Sequence, residues 1–265
     1  LQPAVQGCRF VFHCAAALSG EMRLQRQVNV DGTRNIAQAA ADAGMERFVH
    51  ISTLSVYGQR KGDINEEMKM TPDRSPYSIT KTEGERAVHQ VAGETGLGYT
   101  ILRPGAIYGP RGHWTRMIFS LARRNPIWFV GPGTGVIPLI YMDDLLEECW
   151  LCATHPAAAG QAFNAVYEPH PTIRQTLLTF ASLVGQHKYI GLPITPIKVL
   201  ARGLAVFAPP SSSLKMAPAF LEGMVEPVRY SMDKAQRVLG WQPQVDLAQG
   251  VQKSLPWMKE VGLIR

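Results

Sequence analysis

The first part of the chain alternates short apolar runs with stretches whose apolar positions recur every three or four residues. The run from Arg9 to Ala16 (Arg-Phe-Val-Phe-His-Cys-Ala-Ala) predicts a buried strand, and Val30 to Gly44 predicts a helix stopped by Gly44. Arg47 to Thr53 predicts a second strand, Tyr77 to Thr95 a long helix, and Gly98 to Pro104 a third strand. Strands separated by helices at this spacing imply an α/β fold with a parallel sheet wrapped by helices. Such sheets take ligands beyond the carboxyl ends of their strands. Ala15-Ala16, Ser52-Thr53 and Pro104-Gly105 all fall there.

The second half is richer in Pro and Gly, with shorter and less regular apolar periodicity. The expected division is a core over 1–110 and mainly a substrate cap over 111–265, with a strand near 161–168 returning to the sheet. Asp143 to Trp150 patterns as an amphipathic helix with acids at its start. Gly131-Pro132-Gly133-Thr134-Gly135 follows an apolar run and opens no helix, so it is expected to be a turn. Leu192 to Phe207 is apolar with two isolated cations. It suits first a helix packed into the cap's own core, and is also compatible with a lipid-like substrate or a peripheral contact with a membrane surface. Pro209-Pro210 and the three serines after them predict a loop.

Composition narrows the function classes. With 46% hydrophobic and 18% charged residues the chain can bury a substantial core. The net charge of +6 is spread too evenly for a nucleic-acid stripe, since Arg123-Arg124 is the densest basic cluster. A mild attraction for anionic small molecules fits better. Cys149 and Cys152 have the spacing of a metal half-site, but Cys8 and Cys14 do not supply the other half, so no metal is expected. Two small apolar residues on a helix, and reduced thiols in the cytoplasm, fit best. No apolar run reaches the roughly 20 residues of a membrane span.

The strongest chemical signal is Ser75-Pro76-Tyr77-Ser78-Ile79-Thr80-Lys81. Residues four apart share a helix face, so an ammonium stands one turn from a phenol. Such a cation is expected to lower the phenol pKa and fit it for acid/base work on a carbinol. Before it stands His50-Ile51-Ser52-Thr53-Leu54-Ser55-Val56-Tyr57-Gly58, and after it Leu102-Arg103-Pro104-Gly105-Ala106-Ile107-Tyr108-Gly109-Pro110. Gln27-Val28-Asn29-Val30-Asp31-Gly32-Thr33 comes earlier, and Ser231 to Pro243 closes the series.

These blocks, in this order, closely resemble the extended short-chain dehydrogenase/reductases, which include nucleotide-sugar epimerases, dehydratases and 3β-hydroxysteroid dehydrogenases. The resemblance implies a Rossmann-like doubly wound parallel sheet with a smaller substrate-binding cap, and NAD or NADP as cofactor. It implies Tyr77 as general acid/base, Lys81 on the nicotinamide ribose, Thr53 holding the substrate oxygen, and Asn29 near the active site. Ser52 and Ser55 are substitutes for Thr53, with Leu54 beside the substrate. Ala15 and Ala16 would let backbone approach the cofactor, with Pro104 and Ile107 by the nicotinamide. Family members also pair as dimers through helices around the Tyr77 segment.

The family pattern opens with a strand and a Gly-rich turn onto a helix that binds pyrophosphate. Nothing before Arg9 matches it, and the sequence begins with Leu. The sequence is therefore expected to be a fragment lacking the first two βα units, with an exposed edge on its first strand and weak affinity for the cofactor. Nucleotide-sugar members carry an Arg-Asp pair where this chain has Ile137 and Pro138, neither of which ligates a diphosphate. Arg229 remains open as an anion contact or a structural arginine. The expected reaction is hydride transfer between nicotinamide and an alcohol or ketone of a largely apolar, sterol-like or lipid-like substrate. Nucleotide-sugar epimerization is the alternative within catalysis, and a silent scaffold the alternative outside it. Dehydration ranks last, because Leu54 stands where dehydratases place an acid. A Tyr77→Phe variant separates enzyme from scaffold.

Overall fold

The computed structural model describes residues 1–58, 61–207, 221 and 228–264. The chain begins with α1 (Gln2–Val5), β1 (Phe10–His13), α2 (Met22–Arg26), a wide π-type turn (Gln27–Gly32), α3 (Thr33–Asp42) and β2 (Arg47–Ile51). A tight turn (Leu54–Tyr57) leads to β3 (Gly62–Ile64), the long helix α4 (Pro76–Thr95), β4 (Tyr99–Pro104) and β5 (Ala106–Tyr108). Next come α5 (His113–Ala122), β6 (Ile127–Val130), β7 (Leu139–Tyr141), α6 (Met142–Thr154) and β8 (Gln161–Ala165). The last described elements are α7 (Ile173–Ser182), β9 (Tyr189–Leu192), α8 (Ile194–Phe207), β10 (Val228–Tyr230), α9 (Asp233–Leu239) and α10 (Leu247–Glu260).

The main sheet is parallel, in the order β1-β2-β4-β8, with His13 opposite His50, Ile51 opposite Leu102 and Pro104 opposite Ala165. Both faces are covered, which explains why its strands carry little polar alternation. On one face Phe48 packs with Ala37, Ala40, Val88 and Val91 of α3 and α4. On the other, Val49, Leu102 and Phe163 pack with Leu145 and Cys152 of α6 and Ala235 and Leu239 of α9. Three two-stranded parallel pairs, β3-β10, β5-β7 and β6-β9, extend the structure outward. A separate core joins α5, α7 and α10 through Phe119, Leu177, Phe180, Val251 and Met258.

Strand ends fall short of the sequence expectation for a common reason. Cys14–Ala16 and Ser52–Thr53 have left the sheet to form the turns beyond it. Val166 to Glu168 also leave β8, and the Tyr167 N–H bonds instead to the carbonyl of Leu139 at 2.7 Å. Val30 itself falls within the π-type turn, and the regular helix begins at Thr33 and ends at Asp42. Pro209, Pro210 and the serine loop lie outside the described residues. Cys149 and Cys152 sit on α6 as expected, Cys152 buried and Cys149 half-buried.

Helix α4 is placed by its ends and by one glycine. Ser75 caps it, its hydroxyl accepting from the Ser78 N–H, and Pro76 occupies the first turn, where a missing N–H costs nothing. Gly96, at φ 76°, ends it in the left-handed conformation. Gly84 lets the helix meet the π-type turn, because a Cβ there would stand 2.5 Å from the Asn29 carbonyl oxygen.

Helix α6 buries a carboxyl. Glu148 is fully buried and neither carboxyl oxygen has a hydrogen-bond partner among the described residues. Burial, reinforced by the Glu66 charge, holds its pKa well above the usual carboxylate range. The fold thus keeps a proton that the unfolded chain releases above the ordinary Glu pKa. Stability is fully present below that pKa and declines by about 1.4 kcal/mol per pH unit as pH rises from there toward the folded value. Glu148→Met is expected to raise the unfolding free energy at neutral pH by about 1–3 kcal/mol and to flatten that decline. Urea titrations at several pH values check both, and an unchanged slope would assign it to another group.

Candidate active site

The carboxyl ends of β1, β2 and β4 and the first turns of α4 meet at one end of the sheet. Thr53, with extended backbone, leaves β2 and caps the following turn, its hydroxyl accepting from the Ser55 N–H and the Ser55 hydroxyl, each at 3.2 Å. The same Thr53 side chain faces the Tyr77 hydroxyl closely enough to favour its ionised form. Tyr77 is half-buried, and Lys81 stands one turn further along α4 at 2% exposure. The Lys81 ammonium donates to the Ile51 carbonyl at the end of β2, at 2.7 Å.

The electrostatics differ from the sequence expectation. Burial raises the Tyr77 pKa, and Thr53 only partly opposes it. Lys81 does not lower it here, because its ammonium is turned to Ile51. Burial pulls Lys81 itself down to about 8, against the pull of Glu85.

Asn29 acts through position. Its side chain accepts from the Ala17 N–H at 2.7 Å and donates to the Ala17 carbonyl at 3.0 Å and to the Thr80 hydroxyl at 2.9 Å. It thereby ties the turn holding Ala15 and Ala16 to the residue preceding Lys81. Thr33 donates to the Asn29 carbonyl at 2.8 Å, so the 3.0 Å contact between His13 Nε2 and Thr33 Oγ1 requires the proton on Nε2. His13 stacks on His50 with ring centroids 5.5 Å apart, and burial lowers the pKa of both, His13 to about 4.

Two expected site residues are engaged elsewhere. Ser52 is buried, and its hydroxyl donates to the Glu85 carboxylate at 2.5 Å, which leaves it unable to substitute for Thr53 or to face the cofactor. Leu54 packs into the core against the sheet rather than lining a substrate cleft. Both corrections follow from alternation along extended chain, where neighbours of Thr53 point away from the side it faces. Pro104 is buried and Ile107 half-buried at the same end of the sheet, Ile107 packing on the core beneath.

The sequence reading missed a buried polar chain behind the site. Arg103 donates to both Glu85 oxygens, at 3.0 and 2.7 Å, and to the Tyr57 hydroxyl at 2.7 Å. Tyr57 donates to the Asn164 side chain at 2.8 Å, and Asn164 donates to the Ser231 carbonyl at 3.1 Å. Its signal was present in a lone arginine within the apolar strand Leu102-Arg103-Pro104 and an acid four residues after Lys81 on one helix face. Cys14, exposed at the end of β1, was also passed over; Lys81 draws its thiol pKa down against a larger rise from burial.

A model of the NAD dependent epimerase/dehydratase family matches residues 1–165. The UDP-glucose 4-epimerase of Mycolicibacterium smegmatis is 30% identical over 264 residues, covering 94% of this chain and 75% of that protein. The chain belongs to the NAD-dependent epimerase/dehydratase family. The chain is also similar to a 3beta-hydroxysteroid-dehydrogenase/decarboxylase (isoform 2) of Arabidopsis thaliana, 32% identical over 165 residues, 58% of this chain and 29% of that protein. The fold is that of UDP-glucuronic acid 4-epimerase from Bacillus cereus, solved in complex with NAD. Its TM-score is 0.77 at 21% identity, covering 99% of this chain and 76% of that one. NAD is the family's cofactor. The hydroxyls of Thr53 and Tyr77 and the Lys81 ammonium, which has two N–H groups beyond the one given to Ile51, fit the nicotinamide end of that molecule. The sequence has no Gly-x-Gly-x-x-Gly run for its pyrophosphate.

Proposed function

We propose that this chain carries the acid/base half of an alcohol–ketone oxidoreductase, and that its substrate is largely apolar. The facing Thr53 and Tyr77 side chains above Lys81 support the chemistry most directly. Residues 1–110 serve the cofactor and the carbinol, and 111–265 mainly enclose the substrate. NAD, when bound, takes up or supplies the hydride. Thr53 orients the substrate oxygen, Tyr77 moves its proton, and Lys81 would hold the nicotinamide ribose with the N–H groups not given to Ile51. Small side chains at Ala15 and Ala16 leave room for the cofactor along the edge of β1.

The apolar substrate class rests on Ile137 and Pro138. Pairing of β5 with β7 and the 2.7 Å bond from the Ala106 N–H to the Pro138 carbonyl set these residues beside Gly105, at the site's end of the sheet. Neither offers a charge to a diphosphate. Arg229 is held by Glu168 at 2.6 Å and Asp233 at 3.0 Å, which makes it structural. A second reading, nucleotide-sugar epimerization, is favoured by the mycobacterial relative, whose similarity spans 94% of the chain.

Incubation with NAD and either a 3β-hydroxysteroid or UDP-glucose separates the two readings. NADH formation with the steroid, and no UDP-galactose from the sugar nucleotide, is the expected result. UDP-galactose formation alone would establish the second reading, and inactivity toward both in a chain that binds NAD would favour a scaffold.

A further inference from the structure

The outer lobe, built from α5, β6, α7, β9 and α8, has a surface that the reaction does not use. No Asp or Glu occurs from Gly109 to Tyr141 or from Pro169 to Phe207, while these stretches hold eight Lys and Arg. Within them, α8 has no buried residue at all. Ile194, Ile197, Ala201 and Ala205 share its half-covered face. Leu200 and Leu204, three and seven residues after Ile197, continue that apolar face along one flank together with Phe207, and the three are 63%, 48% and 89% exposed; Val199, further round the helix, is 65% exposed. Lys198 and Arg202, also four apart, lie on the opposite flank of the helix from Leu200 and Leu204. The strand leading into α8 continues the pattern, since Ile190 lies opposite Trp128 in the β6-β9 register and both are exposed.

We propose that this lobe docks on an anionic phospholipid surface, with α8 lying in the headgroup plane. An apolar arc with cations on the opposite flank, on a helix without acids, is the pattern of an interfacial helix. No helix among the described residues is long and apolar enough to cross a membrane, so the contact is peripheral. Stretches without carboxylates gain attraction from anionic lipid, and Trp128 supplies a ring suited to the interface. The inference does not depend on the substrate of the Tyr77 site.

The test is cosedimentation of the whole chain with phosphatidylcholine vesicles and with vesicles containing phosphatidylglycerol. Uptake by the anionic vesicles only, reduced by added salt, is expected. Lys198→Gln should weaken partitioning about fivefold. The triple variant Leu200→Ser, Leu204→Ser and Phe207→Ser should weaken it by roughly tenfold or more while the unfolding curve stays unchanged, because these side chains are exposed in the fold. Equal uptake by both vesicle types, no uptake by either, or uptake indifferent to the triple variant would overturn the proposal. So would light scattering that finds a dimer which the triple variant dissociates, since a second copy would then cover the face.

Discussion

Arg103→Leu is expected to cost the protein about 3–5 kcal/mol of stability, among the largest penalties of any single change in the sheet. Arg103 and Glu85 are 5% and 0% exposed in their side chains and stand 2.7 Å apart. Removing the guanidinium strands the buried Glu85 carboxylate with the Ser52 hydroxyl as its remaining partner among the described residues, and takes the Arg103 N–H away from the Tyr57 hydroxyl. The loss therefore comes chiefly from an uncompensated charge. Two apolar side chains of similar volume often match a buried ion pair. Arg103→Leu with Glu85→Leu should therefore recover much of the deficit and show a coupling of about 2 kcal/mol or more. Urea unfolding of the four proteins of that cycle measures it. A single-variant loss below about 1 kcal/mol would mean that water reaches the pair.

Tyr77→Phe should lower turnover by about 10²–10⁴-fold, the usual contribution of a positioned proton donor or acceptor. Folding should change by only about 1 kcal/mol, since among the described residues the lost hydroxyl interacts chiefly with Thr53. A structural tyrosine would give the reverse, with stability falling and turnover preserved per folded molecule. Turnover and unfolding measured on the same preparation decide between them. The variant also probes the inverted electrostatics: with Lys81 turned to Ile51 and burial raising the phenol pKa, Tyr77 starts as the protonated acid.

The main sheet was legible because parallel strands buried on both faces appear as unbroken apolar runs. The periodicity marked where Phe48, Val49, Ile101 and Leu102 lie. It overran the ends because small residues such as Cys14, Ala15 and Ser52 leave the sheet without a change in hydropathy. Tyr77 and Lys81 were legible because helical spacing fixes their relation within one element. Which of Ser52, Thr53 and Leu54 faces the site was not, because that depends on one-residue alternation after a strand has ended. The short outer pairs were hidden for another reason. Strands β3 and β10 have three residues each and meet only in the folded chain, so no local pattern announces them.

The polar chain from Ser52 to Ser231 bears on how the protein is made. Asn164 orients Tyr57 while anchored to a carbonyl near the far end of the sequence, so the counterions behind Lys81 are fully seated only after Ser231 has been synthesized. At about 5–20 residues per second, this places completion roughly 10–35 s after Ser52 is made. For that interval a ribosome-bound chain holds the Tyr77 helix while the acid–base balance behind it is still unfinished. Tyr77 and Lys81 are thus made well before the residue that completes the polar chain behind them, a delay built into synthesis.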